Sequence, residues 1–262
     1  MKTYNDVFEK SDRTALIPFF VLGDPDFDTS LEVIKTAIVA GADVLELGIP
    51  FSDPIADGPT IQKADIRALN SGMNCHKAFE LIAKIKAYRD IPIGLLMYYN
   101  LICNYGVEAF FRDAARAGVN SVLIADLSID DTQEIMPAMQ AAGLDTVFMV
   151  TPNTERQRKQ LIASKTTGFI YAVSLLGVTG SRETLSDAVD GLVAEIRQIT
   201  EVPVCVGFGI SKPEHAKTVS EAGAQGVIIG SKVVGLIEAN LHDKTKMLSD
   251  ISEFLREIRQ AI

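Results

Sequence analysis

AGADVLELGIPFSDPIADGPT, residues 40–60, combines a joint between a helix and a strand with an unusual pair of acids. Gly41 suits the left-handed conformation that commonly ends a helix. The apolar run that follows, residues 44–47, suits a buried strand of a parallel sheet. A loop with three prolines then leads on to Thr60. The stretch therefore predicts one helix–strand–loop unit.

The same joint returns three more times along the chain, as Ala117-Gly118, Ala142-Gly143 and Ala222-Gly223, each time before an apolar run. A repeated joint of this kind predicts successive βα units around a parallel sheet. The predicted strands are eight in number and span residues 16–22, 43–47, 92–97, 120–125, 145–150, 168–173, 203–206 and 225–229.

Eight βα units in 262 residues predict an α/β fold of the (β/α)8 TIM-barrel class, with a single domain over residues 1–262. An open doubly wound sheet is the alternative. It would usually need fewer strands, and no G-x-G-x-x-G motif follows the first strand. An extra N-terminal helix is predicted over residues 3–10. Extra helices are also predicted after strands 2 and 8. The two helices after strand 2 are predicted over residues 60–70 and 76–89. The helix after strand 1 is predicted to start at the capping box Thr29-x-x-Glu32.

The composition excludes some classes of function. A formal net charge of −9 argues against general binding of nucleic acid or of an anionic membrane surface. The three cysteines lie far apart without a C-x-x-C pair, which predicts reduced and mostly buried thiols in a cytoplasmic protein. The three histidines lack the spacing of metal ligands, so no metal site is expected. The first residues mix acids and bases without an apolar core, unlike a targeting peptide.

Glycine-containing junctions follow predicted strands 7 and 8, where barrel enzymes recurrently bind phosphate. Residues 206–211 read VGFGIS and residues 228–232 read IIGSK. Glycines let backbone N–H groups approach an anion, and a helix that starts at Gly230-Ser231 adds partial positive charge. Two ordinary glycine turns are the alternative. The sequence SLLGVTGSRET, residues 174–184, is typical of a mobile lid or of a merely flexible loop, and its Gly180 could also contact phosphate.

Glu46 is a carboxylate set into an apolar strand, which is costly to bury unless the group has a partner or a chemical task. No obvious cationic partner lies nearby in the sequence, so catalysis is favoured over a structural ion pair. Asp57 is either a second catalytic carboxylate or the cap of the helix that follows Pro59. Two carboxyl groups in different environments can divide acid and base work between them.

Other polar residues near strand ends carry weaker patterns. Asp53 lies in a Ser-Asp-Pro turn and is interpreted as structural or interfacial. Tyr171 lies in strand 6, where most tyrosines are packing residues, and Asp24 and Asp126 rank below Glu46. The residues alone therefore indicate a phosphate-ester enzyme with a carboxylate pair and a lid, without identifying the substrate.

The stretch LELGIPFSDPIADGP, residues 45–59, closely resembles the characteristic motif of the tryptophan synthase alpha subunit family. The resemblance covers nearly the whole chain and includes PF at 18–19, GDP at 23–25, LMY at 96–98, GVTG at 177–180, GFGI at 207–210 and GS at 230–231. It implies retro-aldol cleavage of indole-3-glycerol phosphate to indole and glyceraldehyde 3-phosphate, with no cofactor in this subunit.

The resemblance also implies roles for individual residues. The family's active-site acids and tyrosine fall on Glu46, Asp57 and Tyr171. In this family the aspartate stabilises the charge of protonated indole, and the glutamate moves protons at the breaking bond. Residues matched to substrate contacts are Phe19, Leu96, Thr179 and Phe208. Residues matched to phosphate ligands are Gly180, Gly209, Gly230 and Ser231.

The family works with a beta subunit that holds pyridoxal phosphate and receives indole through a tunnel. The resemblance thus implies an α2β2 complex, without nucleic-acid or membrane partners. Loop 50–59 and the loop after strand 4 would face the beta subunit, although Ser128 stands where proline is common. Three alternatives remain: a stand-alone lyase, a catalytically idle barrel that activates a partner, and another phosphate-barrel enzyme such as a sugar-phosphate isomerase. The presence of both Glu46 and Asp57 argues against the idle barrel.

Overall fold

The structure, a computed structural model, describes residues 1–9, 13–173, 185–207 and 209–262. The glycines of the repeated joint behave as predicted. Gly41, Gly118, Gly143 and Gly223 all have positive φ angles, between 69° and 114°. Residues with a side chain rarely adopt this conformation, so these glycines turn the chain from each helix into the next strand.

The strands form one parallel sheet. They are β1 (Ala15–Val21), β2 (Leu45–Gly48), β3 (Ile93–Met97), β4 (Ser121–Ile124), β5 (Asp145–Thr146), β6 (Phe148–Val150), β7 (Ile170–Val173), β8 (Val204–Gly207) and β9 (Gly226–Ile229). Their order in the sheet is β5-β4-β3-β2-β1-β9-β8-β7-β6. Apart from β5 and β6, which form the two edges, strands that are consecutive in sequence are neighbours in the sheet, as successive βα units require.

The fifth predicted strand, 145–150, is divided at Val147. Its first part, β5, pairs with β4 through Thr146 and Val122, whereas its second part, β6, pairs with β7 through Phe148 and Ile170. The two edges of the sheet are thus consecutive pieces of the chain, and the barrel is nearly closed. The predicted TIM barrel is confirmed, and its fifth strand exchanges one neighbour for the other instead of pairing with both along its length.

Helices connect the strands. They are α1 (Tyr4–Phe8), α2 (Phe27–Val39), α3 (Pro59–Asn70), α4 (Cys75–Tyr88), α5 (Tyr99–Tyr105), α6 (Val107–Ala117), α7 (Met136–Ala141), α8 (Arg156–Lys165), α9 (Leu185–Arg197), α10 (Pro213–Glu221), α11 (Ser231–Ala239) and α12 (Lys244–Ala261), and a 3-10 turn, Ile129–Glu134, precedes α7. The predicted extra helices are confirmed as α1, the pair α3 and α4, and the pair α11 and α12. The second helix after β3, α6, has no counterpart among the predictions.

The predicted capping box at Thr29 is wrong, because α2 begins two residues earlier, at Phe27. Asp26 is the N-cap, and its carboxylate accepts the backbone N–H of Thr29 at 2.9 Å. Ser30 is buried in the first turn, where its hydroxyl accepts the N–H of Gly23 at 3.0 Å. This bond ties the helix to the loop after β1 and favours the earlier start.

Helix α1 fills the amino-terminal end of the barrel. The Tyr4 hydroxyl lies 2.6 Å from Ser121 Oγ, and the Tyr4 ring packs edge-on against Phe169 at 5.4 Å. Gly94 leaves room for this hydroxyl, since a Cβ there would lie 2.9 Å from it. The open end of the barrel is therefore at the carboxyl ends of the strands, where barrel enzymes place their sites. None of the described helices is long and apolar enough to cross a membrane.

Candidate active site

A cavity of about 400 Å³ lies at the carboxyl ends of the strands. Every predicted site residue that the structure describes lines this cavity: Phe19, Glu46, Asp57, Leu96, Tyr171, Gly209, Gly230 and Ser231. The predicted lid at 174–184, with Thr179 and Gly180, lies outside the described residues, as does Phe208. The cavity is large enough for a small-molecule substrate.

Glu46 enters the cavity from β2, between Phe19 of β1 and Gly94 of β3 in the register of the sheet. Only 4% of the residue is exposed, and its Oε2 has no hydrogen-bond partner among the described residues. Burial raises the pKa of the carboxyl from 4.5 to about 8. Glu46 is therefore mostly protonated at neutral pH and can act as a proton donor. No cationic side chain in the described part of the chain forms an ion pair with Glu46, which argues against the alternative of a structural ion pair.

Asp57 reaches the cavity from the loop between β2 and α3. Its Oδ2 accepts the hydroxyl of Tyr98 at 2.6 Å. Burial raises the pKa of Asp57, and the bond from Tyr98 opposes this rise. The alternative of a helix cap is wrong, since the N-cap of α3 is Gly58 and no side chain of the described residues caps this helix. The carboxylate is thus directed to Tyr98 rather than to the helix terminus.

Tyr98 holds the Asp57 loop by several contacts. Its hydroxyl also accepts the backbone N–H of Ala56 at 3.1 Å, and its ring stacks on Phe51 at 5.2 Å. The loop is further closed by Gln62, whose side chain donates to the Asp57 carbonyl at 2.8 Å. Tyr98 directly follows β3, so the rule that functional residues follow strands could have pointed to it.

Asp65 is a second acid of this region that the sequence patterns do not single out. It lies in α3, is 5% exposed, and accepts the backbone N–H of Phe51 at 3.4 Å through Oδ1. Its Oδ2 has no hydrogen-bond partner among the described residues. Burial and then the charge of Asp57 raise the pKa of Asp65 to about 7. Asp65 therefore supports the loop, but ionisation of its buried carboxyl lowers the stability of the folded protein, and this loss of stability depends on pH.

Tyr171 lines the cavity from β7. The residue is 4% exposed, and burial, followed by the charge of Glu46, raises the pKa of its phenol well above the usual value. Gly207 of β8 leaves space for the ring, because a Cβ at this position would collide with the Tyr171 hydroxyl. Tyr171 thus remains a neutral phenol beside Glu46.

The ends of β8 and β9 supply the candidate phosphate site. Gly209 has a positive φ of 76°, which favours glycine. Gly230 is the N-cap of α11, and Ser231 is the first residue of that helix. The first N–H groups of a helix have no partner within the helix and carry partial positive charge, so this end suits an anion. Ser211 and Lys232 also line the cavity here and were not among the predicted site residues.

The other strand-end acids have structural partners. Asp24 accepts two bonds from Arg67, at 2.6 and 2.9 Å, and Asp126 accepts the N–H of Tyr99 at 2.8 Å. The described chain has no group of three or more His, Cys, Asp or Glu residues that could hold a metal ion. Cys205 is buried, as predicted. Cys103 is exposed, so the prediction of a buried thiol is wrong for this residue.

Comparisons with known proteins agree with this geometry. The family model for the tryptophan synthase alpha chain matches residues 6–262. The alpha chain of Methanothermobacter thermautotrophicus is 45% identical over 259 residues, covering 99% of this chain and 96% of that protein. The alpha subunit from Legionella pneumophila gives a TM-score of 0.92 at 30% identity, covering 100% of this chain and 98% of that one. A chain of the tryptophan synthase complex from Pyrococcus furiosus gives a TM-score of 0.85 at 35% identity, covering 95% and 98%.

Proposed function

The chain belongs to the tryptophan synthase alpha chain family, and we propose that it cleaves indole-3-glycerol phosphate to indole and glyceraldehyde 3-phosphate. The observation that supports this most directly is a pair of carboxyl groups with different environments in one cavity. Glu46 is a buried acid whose pKa is raised to about 8, and Asp57 accepts a hydrogen bond from Tyr98. Such a pair can divide proton donation and charge stabilisation between its members.

The first step is protonation of the indole ring at C3. Indole is a poor leaving group until this carbon carries a proton. Glu46 gives its proton to C3, which leaves the indole nitrogen with a positive charge. Asp57, as a carboxylate, accepts the N–H of the cation and stabilises it in a site partly shielded from water. Tyr171 lines the same cavity beside the acid and contributes a neutral hydroxyl.

The second step breaks the carbon–carbon bond. Glu46, now a carboxylate, takes the proton of the glycerol hydroxyl next to C3. The O–H electron pair becomes the new carbonyl bond of glyceraldehyde 3-phosphate, and the electrons of the broken bond return to the indole ring. One proton has been given to C3 and one has been taken from the hydroxyl, so Glu46 is restored. Two proton transfers suffice, and we propose that this chain uses no cofactor.

The remaining site residues would bind the substrate. Phe19 and Leu96 supply apolar contacts for the ring within the cavity, while Gly209, Gly230 and Ser231 bind the phosphate. Thr179, Gly180 and Phe208 are proposed to contribute to the same site on the resemblance alone.

A beta subunit is the proposed partner, in an α2β2 complex that passes indole to pyridoxal phosphate held by beta. The Asp57 loop supports this, since its Ile55 is 83% exposed. Ser128, on the other expected contact loop, accepts a hydrogen bond from Arg158 at 2.9 Å within this chain. We further propose one domain over residues 1–262 and a cytoplasmic location.

The decisive experiment measures indole release from indole-3-glycerol phosphate by the purified chain, with and without a beta subunit. Glu46→Gln and Asp57→Asn should each lower kcat by about 10²–10⁴, the usual contribution of an acid–base group. Asp28→Asn is the matched control, because Asp28 is an exposed acid of α2 that does not line the cavity. Near-normal turnover in either test variant, or no indole from the wild type under both conditions, would refute the proposal.

A further inference from the structure

Lys232 is the only lysine or arginine among the described residues that line the cavity. It lies in the first turn of α11, directly after the proposed phosphate ligands Gly230 and Ser231. No resemblance or sequence pattern assigns it a role. Its position nevertheless places this lysine at the end of the cavity that suits an anion, within reach of its own long side chain.

The ammonium group of Lys232 rests against α12, on a residue that does not line the cavity. Its Nζ lies 5.7 Å from the centroid of the Phe254 ring, and it forms no ion pair with a carboxylate among the residues described. A cation over an aromatic ring at an exposed position is held weakly. The flexible stem of a lysine allows the ammonium to leave the ring for a stronger partner.

A positive charge at this end of the cavity would offset the charge of an anionic ligand. Asp57 contributes a carboxylate from the β2 side, whereas Glu46 is mostly protonated at neutral pH, and the chain as a whole has a net charge of −9. A phosphate monoester carries a charge of about −1.5 to −2 near pH 7. The other proposed phosphate contacts, glycine backbone and the Ser231 hydroxyl, have no net charge.

We propose that Lys232 binds the substrate phosphate through its ammonium group and gives the cavity its preference for a dianionic phosphate ester. This inference rests on the proposed function for the identity of the substrate, but its chemistry requires only a phosphate monoester in the cavity. Lys232 is then a determinant of binding and specificity, remote from the bond that breaks.

The test compares Lys232→Met, which removes the charge and keeps a long side chain, with Lys232→Arg, which retains it. Lys165→Met is the control for net charge, because Lys165 is exposed in the last turn of α8, at the opposite end of the barrel. Two quantities are measured for each protein. They are KM and kcat for indole-3-glycerol phosphate, and the Kd for glycerol 3-phosphate by calorimetry at low and high salt.

Lys232→Met should raise KM and the Kd for glycerol 3-phosphate about ten-fold, as expected for loss of one charged contact, with kcat changed less than about two-fold. Lys232→Arg should restore most of the affinity, and the salt dependence of the Kd should be smaller in Lys232→Met than in the wild type. Equal Kd values for wild type and Lys232→Met would overturn the inference, as would a loss of kcat with unchanged KM. Weaker glycerol 3-phosphate binding by Lys232→Met in a protein that releases no indole would support the lysine's role and refute the proposed reaction.

Discussion

Glu46→Gln should move activity and stability in opposite directions at alkaline pH. Because the folded protein holds the Glu46 proton up to a pKa of about 8, whereas the unfolded chain releases it near 4.5, the folded state binds more protons between these values. The stability of the wild type must then fall as the pH rises through this interval. A glutamine at position 46 carries no such proton, so the variant escapes the loss.

The magnitude follows from the two pKa values. Their separation of about 3.5, at 1.36 kcal/mol for each pKa unit, corresponds to about 5 kcal/mol once both states are ionised. At pH 5 the same relation leaves about 1 kcal/mol. The buried amide of the variant has a cost of its own, about 1–3 kcal/mol, but this cost is the same at every pH. The stability of the variant relative to the wild type should therefore increase by about 4 kcal/mol between pH 5 and pH 9.

Urea unfolding followed by circular dichroism at pH 5 and pH 9 measures this change. Glu253→Gln, an exposed position of α12, is the control for removal of one acid, and its relative stability should differ little between the two pH values. Glu46→Gln should also lose indole formation at both pH values, and the kcat/KM of the wild type should decline above about pH 8, where Glu46 loses its proton. A relative stability of Glu46→Gln that is the same at pH 5 and pH 9 would refute the raised pKa and, with it, the role of Glu46 as a proton donor at neutral pH.

Three further substitutions test the surroundings of this acid. Tyr98→Phe should shift the acidic limb of the kcat/KM profile to higher pH, because the hydrogen bond from Tyr98 lowers the pKa of Asp57; an unchanged limb would contradict this. The stability of Asp65→Asn relative to the wild type should increase by about 2–4 kcal/mol between pH 4 and pH 8, because burial raises the pKa of the Asp65 carboxyl to about 7. Equal relative stabilities at both pH values would show that Asp65 does not titrate in this range. Gly230→Asp should raise KM at least ten-fold, because its negative charge repels the phosphate. Gly230→Ala should change KM less, since a Cβ at this position lies at an ordinary contact distance of 3.5 Å from Phe19. Equal KM values for the two variants would show that the phosphate does not bind at Gly230.

Residues at strand ends could be predicted from the sequence because the barrel itself brings them together. Once the repeated glycine joints had indicated a barrel, the carboxyl ends of its strands had to converge, whatever the paths of the loops between them. Glu46 lies in β2 and Gly230 directly follows β9, two strands that are not neighbours in the sheet, and both residues line one cavity. The prediction depended on topology and on the hydrophobic pattern, which are encoded locally.

Contacts that depend on the path of a loop could not be predicted in the same way. Aspartate before a Gly-Pro pair is equally suited to capping α3 and to facing a ligand, and only the position of Tyr98 decides between the two. Asp65 reads as an ordinary polar residue of a helix, yet the segment that includes Phe51 folds over it and buries it. Lys232 likewise reads as a solvated lysine until the cavity wall is defined by β9 and α11 together.

The position of Glu46 is difficult to explain by packing alone. An acid whose pKa is raised from 4.5 to about 8 costs the folded state about 3 kcal/mol at pH 7 by linkage, against a typical net stability of about 5–15 kcal/mol. Its neighbours along β2, Leu45 and Leu47, are fully buried apolar residues on the opposite face of the sheet, whereas the Glu46 side chain points to the interior of the barrel. Burial raises the pKa of the Tyr4 phenol in α1, and Tyr4 lies close enough to Glu46 for the charge of an ionised carboxyl to raise this pKa further. A proton donor at neutral pH requires a carboxyl group whose ionised form is disfavoured and whose position is fixed, as on a strand. The loss of folding stability is the cost of keeping such a group in the site.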